Sequence, residues 1–265
     1  MKKLSWRRIR AVVVRHYHVL WRSPHRWFDV VVWPIVDTLL FGSLGVFVAR
    51  QSGSGRAGVA YLLAGILLFH VIYQSQISVS VGFMEETWSR NLLNLMVTPL
   101  RDVEYVAGVA LFGLAKLVLG IGVVALAAWG FYSFAVSDVG WGLIPIAAEL
   151  LLVGWVISLF VIGLVLRFGQ SAEVLAWGLM FMAMPLSGVF YPPSALPSFL
   201  RPISYALPST HAFTAAHRLL DGRAMPWDEI TLAAIGCVIF ALLALAFLLR
   251  MLRVFRQRRF VTRFA

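Results

Sequence analysis

The chain has 265 residues, 60% of them hydrophobic and 13% charged, with a mean hydropathy of +0.84. A soluble domain of this size is about half apolar and about a quarter charged, so the composition excludes a cytosolic globular enzyme, a disordered tail and a disulfide scaffold. In so apolar a chain, the net charge of +11 points to Lys and Arg at the cytoplasmic ends of membrane spans rather than to nucleic acid. The single cysteine, Cys237, excludes an internal disulfide and a Cys-cluster metal site.

Residues 1–27 have charges in every apolar run, which a signal peptide does not. They predict an amphipathic cytoplasmic helix. Trp6, Ile9, Val13, Tyr17 and Leu20 share one face, with Arg7, Arg8, Arg15 and Arg22 largely opposite and Arg10 at the edge. Such a helix lies in the inner membrane interface against anionic lipid, or offers its face to a cytoplasmic partner.

Residues 28–252 contain six stretches of about 20 apolar residues, the length a spanning helix needs: 28–49, 58–83, 105–133, 143–166, 172–191 and 230–252. A basic tail, 253–265, follows. Sorted by connection, seventeen Lys and Arg fall on the side of the two termini and five on the other. The positive-inside rule then puts both termini in the cytoplasm. The fold class is all-α, a polytopic membrane protein of six spans.

Polar residues inside the spans are costly and need partners. Asp37 lies about 14 Å into the first span at 1.5 Å per residue, Lys116 at similar depth in the third, and His70 near mid-depth in the second. Asp37 and Lys116 are expected to pair, within or between subunits. Gln74, Ser75 and Ser78 cluster on one side of the second span, where they line a polar path or hydrogen-bond between helices. Trp177, Met180, Phe181 and Met184 form a soft apolar stripe in the fifth span, suited to packing or to varied ligands.

The connection 85–104 starts acidic, sets Trp88, Leu92, Leu95 and Met96 at helical spacing, and stops at Pro99. An apolar stripe held outside the bilayer needs a groove in a partner or the membrane surface itself. On the other side, 192–226 is broken by Pro192, Pro193 and Pro197. Leu196, Phe199, Leu200 and Ile203 make a short apolar turn. Ser209 or Thr210 can cap a helix through Phe213, Leu219 and Leu220 that stops near Gly222. This pattern suits two short helices dipping into the outer leaflet, or an interfacial hairpin.

Motifs for chemistry are missing. Gly108 to Gly113 is followed by Leu114 rather than by the lysine of a phosphate-binding loop. There is no H-E-x-x-H and no G-x-S-x-G, and the six histidines have no metal-ligand spacing. No catalytic residue, metal or bound cofactor is expected in this chain, and scattered polar positions argue against a membrane-embedded enzyme.

Two segments carry a family resemblance. Leu92 to Arg101, ending Val97-Thr98-Pro99-Leu100-Arg101 and followed by Glu104 and Gly108, resembles the second cytoplasmic connection of ABC-2 type exporter permeases. Leu186-Ser187-Gly188-Val189-Phe190-Tyr191-Pro192-Pro193, then Leu196-Pro197 and Arg201-Pro202-Ile203-Ser204-Tyr205, resembles that family's signature before the last span. Leu207-Pro208-Ser209-Thr210-His211 departs from the family's Asn-Pro-Leu-Thr-Tyr-like element.

The resemblance implies a bacterial inner-membrane transporter of two permease copies and two separate ATP-binding subunits, with ATP and magnesium held by the latter. It makes 85–104 the coupling segment, contacting the ATP-binding subunit through Glu85, Glu86, Trp88, Asn91, Leu92, Leu95, Met96, Thr98 and Pro99. It makes the N-terminal helix an interface helix and 192–226 a re-entrant outer gate with Tyr191, Phe199, Tyr205, His211 and Phe213. Membrane lipids are partners and nucleic acid is not. The cargo it implies is an amphipathic small molecule or lipid; a lipid-linked polysaccharide or glycolipid is the alternative. A channel or carrier working without an ATPase is the reading from another class, and it would leave the cytoplasmic apolar stripe without a purpose.

Overall fold

The computed structural model describes residues 5–53, 55–88 and 98–257, and among them every regular element is helical. The N-terminal helix α1 (Trp6–Trp21) is followed by the single turn α2 (Pro24–Trp27) and a π-helical turn, Phe28–Val32. The first span continues as α3 (Trp33–Ser52). Then come α4 (Gly55–Trp88), α5 (Asp102–Tyr132), α6 (Leu143–Phe168), the short α7 (Glu173–Leu186), α8 (Arg201–Ala206), α9 (Pro208–Leu220) and the closing α10 (Trp227–Gln257).

Among the described residues five helices are long and apolar enough to cross a membrane: Phe28–Gln51, Ala57–Met84, Ala107–Tyr132, Leu143–Phe168 and Trp227–Val254. The α4 window is 72% buried, whereas the other four are 17–39% buried. That contrast places α4 at the centre, with α3, α5 and α6 packed around it and α10 on the far side of α6. Gly154 shows how closely α6 approaches: a Cβ there would collide with the Ser75 side chain on α4. The core between them is made by Ile66, Ile72, Ile146, Leu150 and Val153.

The stretch 172–191 is shorter than a full span. Its helix α7 has 14 residues, about 21 Å at 1.5 Å per residue against a hydrocarbon core of about 30 Å. Pro185 in its last turn and Gly188, at φ +68, stop it and turn the chain. The Leu186 carbonyl left open there accepts from Ser204 Oγ at 2.6 Å and Thr210 Oγ1 at 3.4 Å, while Ser187 and Ser209 hydroxyls meet at 2.7 Å. Ser209 and Thr210 therefore do not cap α9, contrary to expectation. Leu207 takes the N-cap position and Pro208, whose missing N–H costs nothing there, opens the helix.

The N-terminal region also corrects the single amphipathic helix expected over 1–27. Pro24 cannot continue α1, because it lacks an N–H and its ring clashes with the preceding turn, and it starts α2 instead. The face that α1 buries is Ile9, Val12 and Leu20, while Trp6 and Tyr17 of the expected stripe are exposed. Pro34 has a similar local effect. Its missing N–H and its ring disturb the turn before it, and the chain widens into the π turn. Gln74 Nε2 on α4 donates to the Asp29 carbonyl in that turn at 3.1 Å.

Candidate functional site

Three features carry polar chemistry. The first is a cleft of about 430 Å³ between α3, α4 and α7, within the range of small-molecule sites. Asp29 enters it from the π turn and Trp33, Asp37 and Phe41 from α3; His70 and Tyr73 come from α4, and Trp177, Met180, Phe181 and Met184 from α7. Phe41 stacks on Phe190 at 4.1 Å between ring centroids, tying the cleft wall to the turn after α7. Tyr73 and Trp177 pack with centroids 6.1 Å apart.

His70 is the most buried polar group of the cleft, at 1% exposure. Its Nδ1 lies 3.1 Å from the Ile66 carbonyl one turn back, which fixes that nitrogen as the donor. Nε2 is buried without a hydrogen-bond partner, 3.7 Å from Asp37 Oδ2. The structure thus gives Asp37 an imidazole neighbour from α4 that spacing along the chain does not reveal. Lys116, its expected partner, is half-buried on α5.

The second feature is a clamp at the base of α5. Glu104, fully buried, accepts Arg8 Nε at 2.6 Å and Arg8 Nη2 at 2.7 Å in a two-pronged pair. The same carboxylate accepts the Ser5 N–H at 2.8 Å and the Arg101 N–H at 3.2 Å. It therefore caps the starts of α1 and α5 together, which suits an acid at a helix N-terminus. The Arg8 guanidinium, helped by the two backbone N–H groups and opposed by burial, holds this carboxyl at about 2 instead of its usual 4.5. Four residues on, Gly108 lets α1 lie close: a Cβ there would sit 2.6 Å from Val12 Cβ.

The third feature lies at the other end of α4, about 30 Å away for some 21 residues of helix at 1.5 Å each. Arg218 on α9 bridges Asp228 at 2.7 Å and Glu229 at 2.6 Å on α10. Glu229 also meets His211 Nδ1 at 2.7 Å, and His211 Nε2 meets the Tyr205 carbonyl at 3.0 Å. Both ring nitrogens thus face acceptors. Next to this network His217 stacks on Tyr61 of α4 at 3.6 Å, which fixes α9 inside the bundle.

The expected site residues distribute unevenly over these features. Of the polar path, Asp37 and His70 line the cleft. Gln74 instead satisfies the π turn, and Ser78 packs toward Gly113 of α5. Of the outer set, Phe213 is fully buried in the core, His211 belongs to the ion-pair network, and Phe199 and Tyr205 are more than half exposed. Tyr191 is half-buried in the turn after α7. Of the coupling set, Glu85, Glu86 and Trp88 fall in the last turn of α4, and Thr98 and Pro99 are exposed just before α5. Asn91, Leu92, Leu95 and Met96 lie outside the described residues.

Sequence reasoning missed Asp29, Trp33, Phe41 and Tyr73 of the cleft and the Arg8–Glu104 pair. An acid at the third helical position ahead of a long apolar run was the available signal for Glu104.

Comparison with known proteins agrees with this architecture. The family model described as ABC-2 type transporter matches residues 7–220, from α1 to the end of α9. The chain is similar to the inner membrane transport permease YadH of Escherichia coli K12, with 25% identity over 215 residues covering 78% of this chain and 80% of the relative. The same holds for the inner membrane transport permease YadH of Shigella flexneri. With most of its length matched and five long apolar helices, this multi-pass membrane protein belongs to the ABC-2 type transporter family.

Proposed function

We propose that the chain is the membrane subunit of an ATP-driven exporter, working as two copies with two separate ATP-binding subunits in a bacterial inner membrane. The observation that carries the reading is the Arg8–Glu104 clamp. It joins the N-terminal helix to the first turn of α5, at the end of the connection 85–104. An ATP-binding subunit seated on that connection would push α5 and α1 as one body. Motion applied there would shift the spans between inward-open and outward-open arrangements. ATP and magnesium would be held by the partner, with Leu92, Leu95 and Met96 supplying the apolar contact and Glu85, Glu86, Trp88, Asn91, Thr98 and Pro99 the rest of the docking surface.

Six crossings follow if α7 and the turn after it complete a short fifth span. The helices α8 and α9 are then re-entrant, closing the outer end, with Tyr191, Phe199, Tyr205, His211 and Phe213 among them. The side-chain hydrogen bonds to the Leu186 carbonyl support this, since backbone groups at membrane depth need such partners. The bias of basic residues supports cytoplasmic termini. A drug-sized cleft lined by aromatics and carboxylates favours an amphipathic small molecule over a glycan chain.

Co-purification tests the reading. A tagged chain extracted in mild detergent should retain an ATP-binding subunit, and Leu95→Asp should release it while the spans stay folded. A stably folded wild-type chain that never retains such a subunit refutes it.

A further inference from the structure

We propose that the cleft between α3, α4 and α7 recognises a hydrophobic amine, its ammonium group seated between Asp37 and His70. This rests on the exporter reading for its consequence, transport, but not for the binding itself.

The argument starts from what the cleft lacks. With Nδ1 committed to Ile66, His70 Nε2 presents its lone pair to a carboxylate 3.7 Å away, too far for a hydrogen bond. Two acceptors then face each other across a gap, in a position where only 1% of His70 is exposed to solvent. A donor with several N–H groups and a positive charge completes this arrangement. An ammonium has three, and it can donate to Asp37 Oδ2 and His70 Nε2 at once. Asp29, eight residues and about two helical turns before Asp37 on the same wall, adds a second carboxylate, and no lysine or arginine is among the described residues that line the cleft.

The remaining wall selects for bulk. Trp33, Phe41, Tyr73, Trp177 and Phe181 present aromatic faces, which attract a cation and accept apolar rings. Met180 and Met184 add side chains that adapt to different shapes. The cleft opens where Trp33 (46%), Leu40 (59%) and Phe181 (65%) are exposed, so a ligand can enter sideways from the bilayer. A lipid amine headgroup and a free hydrophobic amine share this chemistry.

A matched set of probes reads the charge preference directly: 3,3-diphenylpropylamine, 3,3-diphenylpropanol and 3,3-diphenylpropanoate. Binding is measured by calorimetry to the wild-type chain in nanodiscs of phosphatidylcholine, with empty discs subtracted. The amine should bind about tenfold or more tightly than the alcohol, the scale of a charge-assisted hydrogen bond. The carboxylate should bind weakest. Asp37→Asn, which keeps the shape, should bring amine and alcohol to within about twofold, and Asp29→Asn should do so in part. Adding phosphatidylethanolamine to the discs separates the sources. If it competes, the amine recognised is a lipid headgroup; if it does not, it is a free molecule. Equal binding of the three probes to the wild-type chain overturns the proposal, and so does an amine preference that survives both substitutions. All of this is read without an ATP-binding subunit, so failure to retain one refutes the exporter reading and leaves this result standing.

Discussion

The two ends of the bundle hold ion pairs of opposite character. At the α1 end a single carboxylate, Glu104, is fully buried and accepts four N–H groups from three residues. At the other end two carboxylates, an arginine and a histidine share the load, with Asp228 64% exposed at its side chain and Arg218 35% exposed. A buried carboxylate with every oxygen satisfied is a rigid joint, because losing one partner strands a charge. The second network is softer at its outer pair, since Arg218–Asp228 is screened and can be exchanged for water, whereas Glu229 is buried. The contrast teaches where a push could be transmitted and where it could not: the α1–α5 joint is held by buried charge, while α9 is held by its buried apolar face and the His217–Tyr61 stack, and the Arg218–Asp228 pair beside it can be lost at little cost.

Substitutions in the clamp should break this contrast most. Glu104→Ala strands the Arg8 guanidinium and frees two helix starts. Amide exchange across α1 should accelerate by about tenfold or more, the scale of losing hydrogen bonds to a charged group. Hydrogen-exchange mass spectrometry checks it, with α10 amides as the internal control. Next in size is Gly108→Val. It leaves every charge in place but drives a side chain into Val12, so α1 should loosen several-fold while the Glu104 contacts persist. If Gly108→Val matches Glu104→Ala, close packing rather than the ion pair holds the joint.

Acid gives a third test with a definite sign. The Glu104 carboxyl is depressed from 4.5 to about 2, so its contribution is complete above about 4.5 and fades as the pH falls toward 2. Exchange across α1 should therefore rise between pH 4.5 and 2 in the wild type, after correction for the intrinsic rate, and not in Glu104→Gln. The smallest effect belongs to the soft end. Asp228→Asn should move the thermal midpoint by no more than about 2 °C, as expected for an exposed pair in a chain of this length. A larger loss there would erase the difference between the ends.

How much of this was legible in the sequence depends on what kind of regularity encodes it. All five long spans among the described residues were readable because hydropathy accumulates over twenty residues and needs no partner. The helix α7 was overestimated at 172–191, since an apolar run says nothing of where Pro185 and Gly188 turn the chain. The amphipathic face of α1 was readable as a stripe, but Val12 rather than Val13 meets Gly108, a choice made by the neighbouring helix. That Asp37 and His70 lie within long apolar helices was readable; that they face each other was not, because side-chain direction around a helix depends on how α3 and α4 are rotated. Arg8 and Glu104 are 96 positions apart, and no local period links them. The site is thus mostly tertiary, assembled from residues that look ordinary one at a time.

The central claim is that the clamp passes motion from an ATP-binding subunit to the spans. Its most direct measurement is ATP hydrolysis by that subunit reconstituted in nanodiscs with the wild-type chain or with Glu104→Ala. The account predicts that both chains retain the subunit, that the wild type raises its hydrolysis several-fold, and that Glu104→Ala does not. Equal stimulation by the two chains, or hydrolysis that ignores the chain altogether, would contradict it.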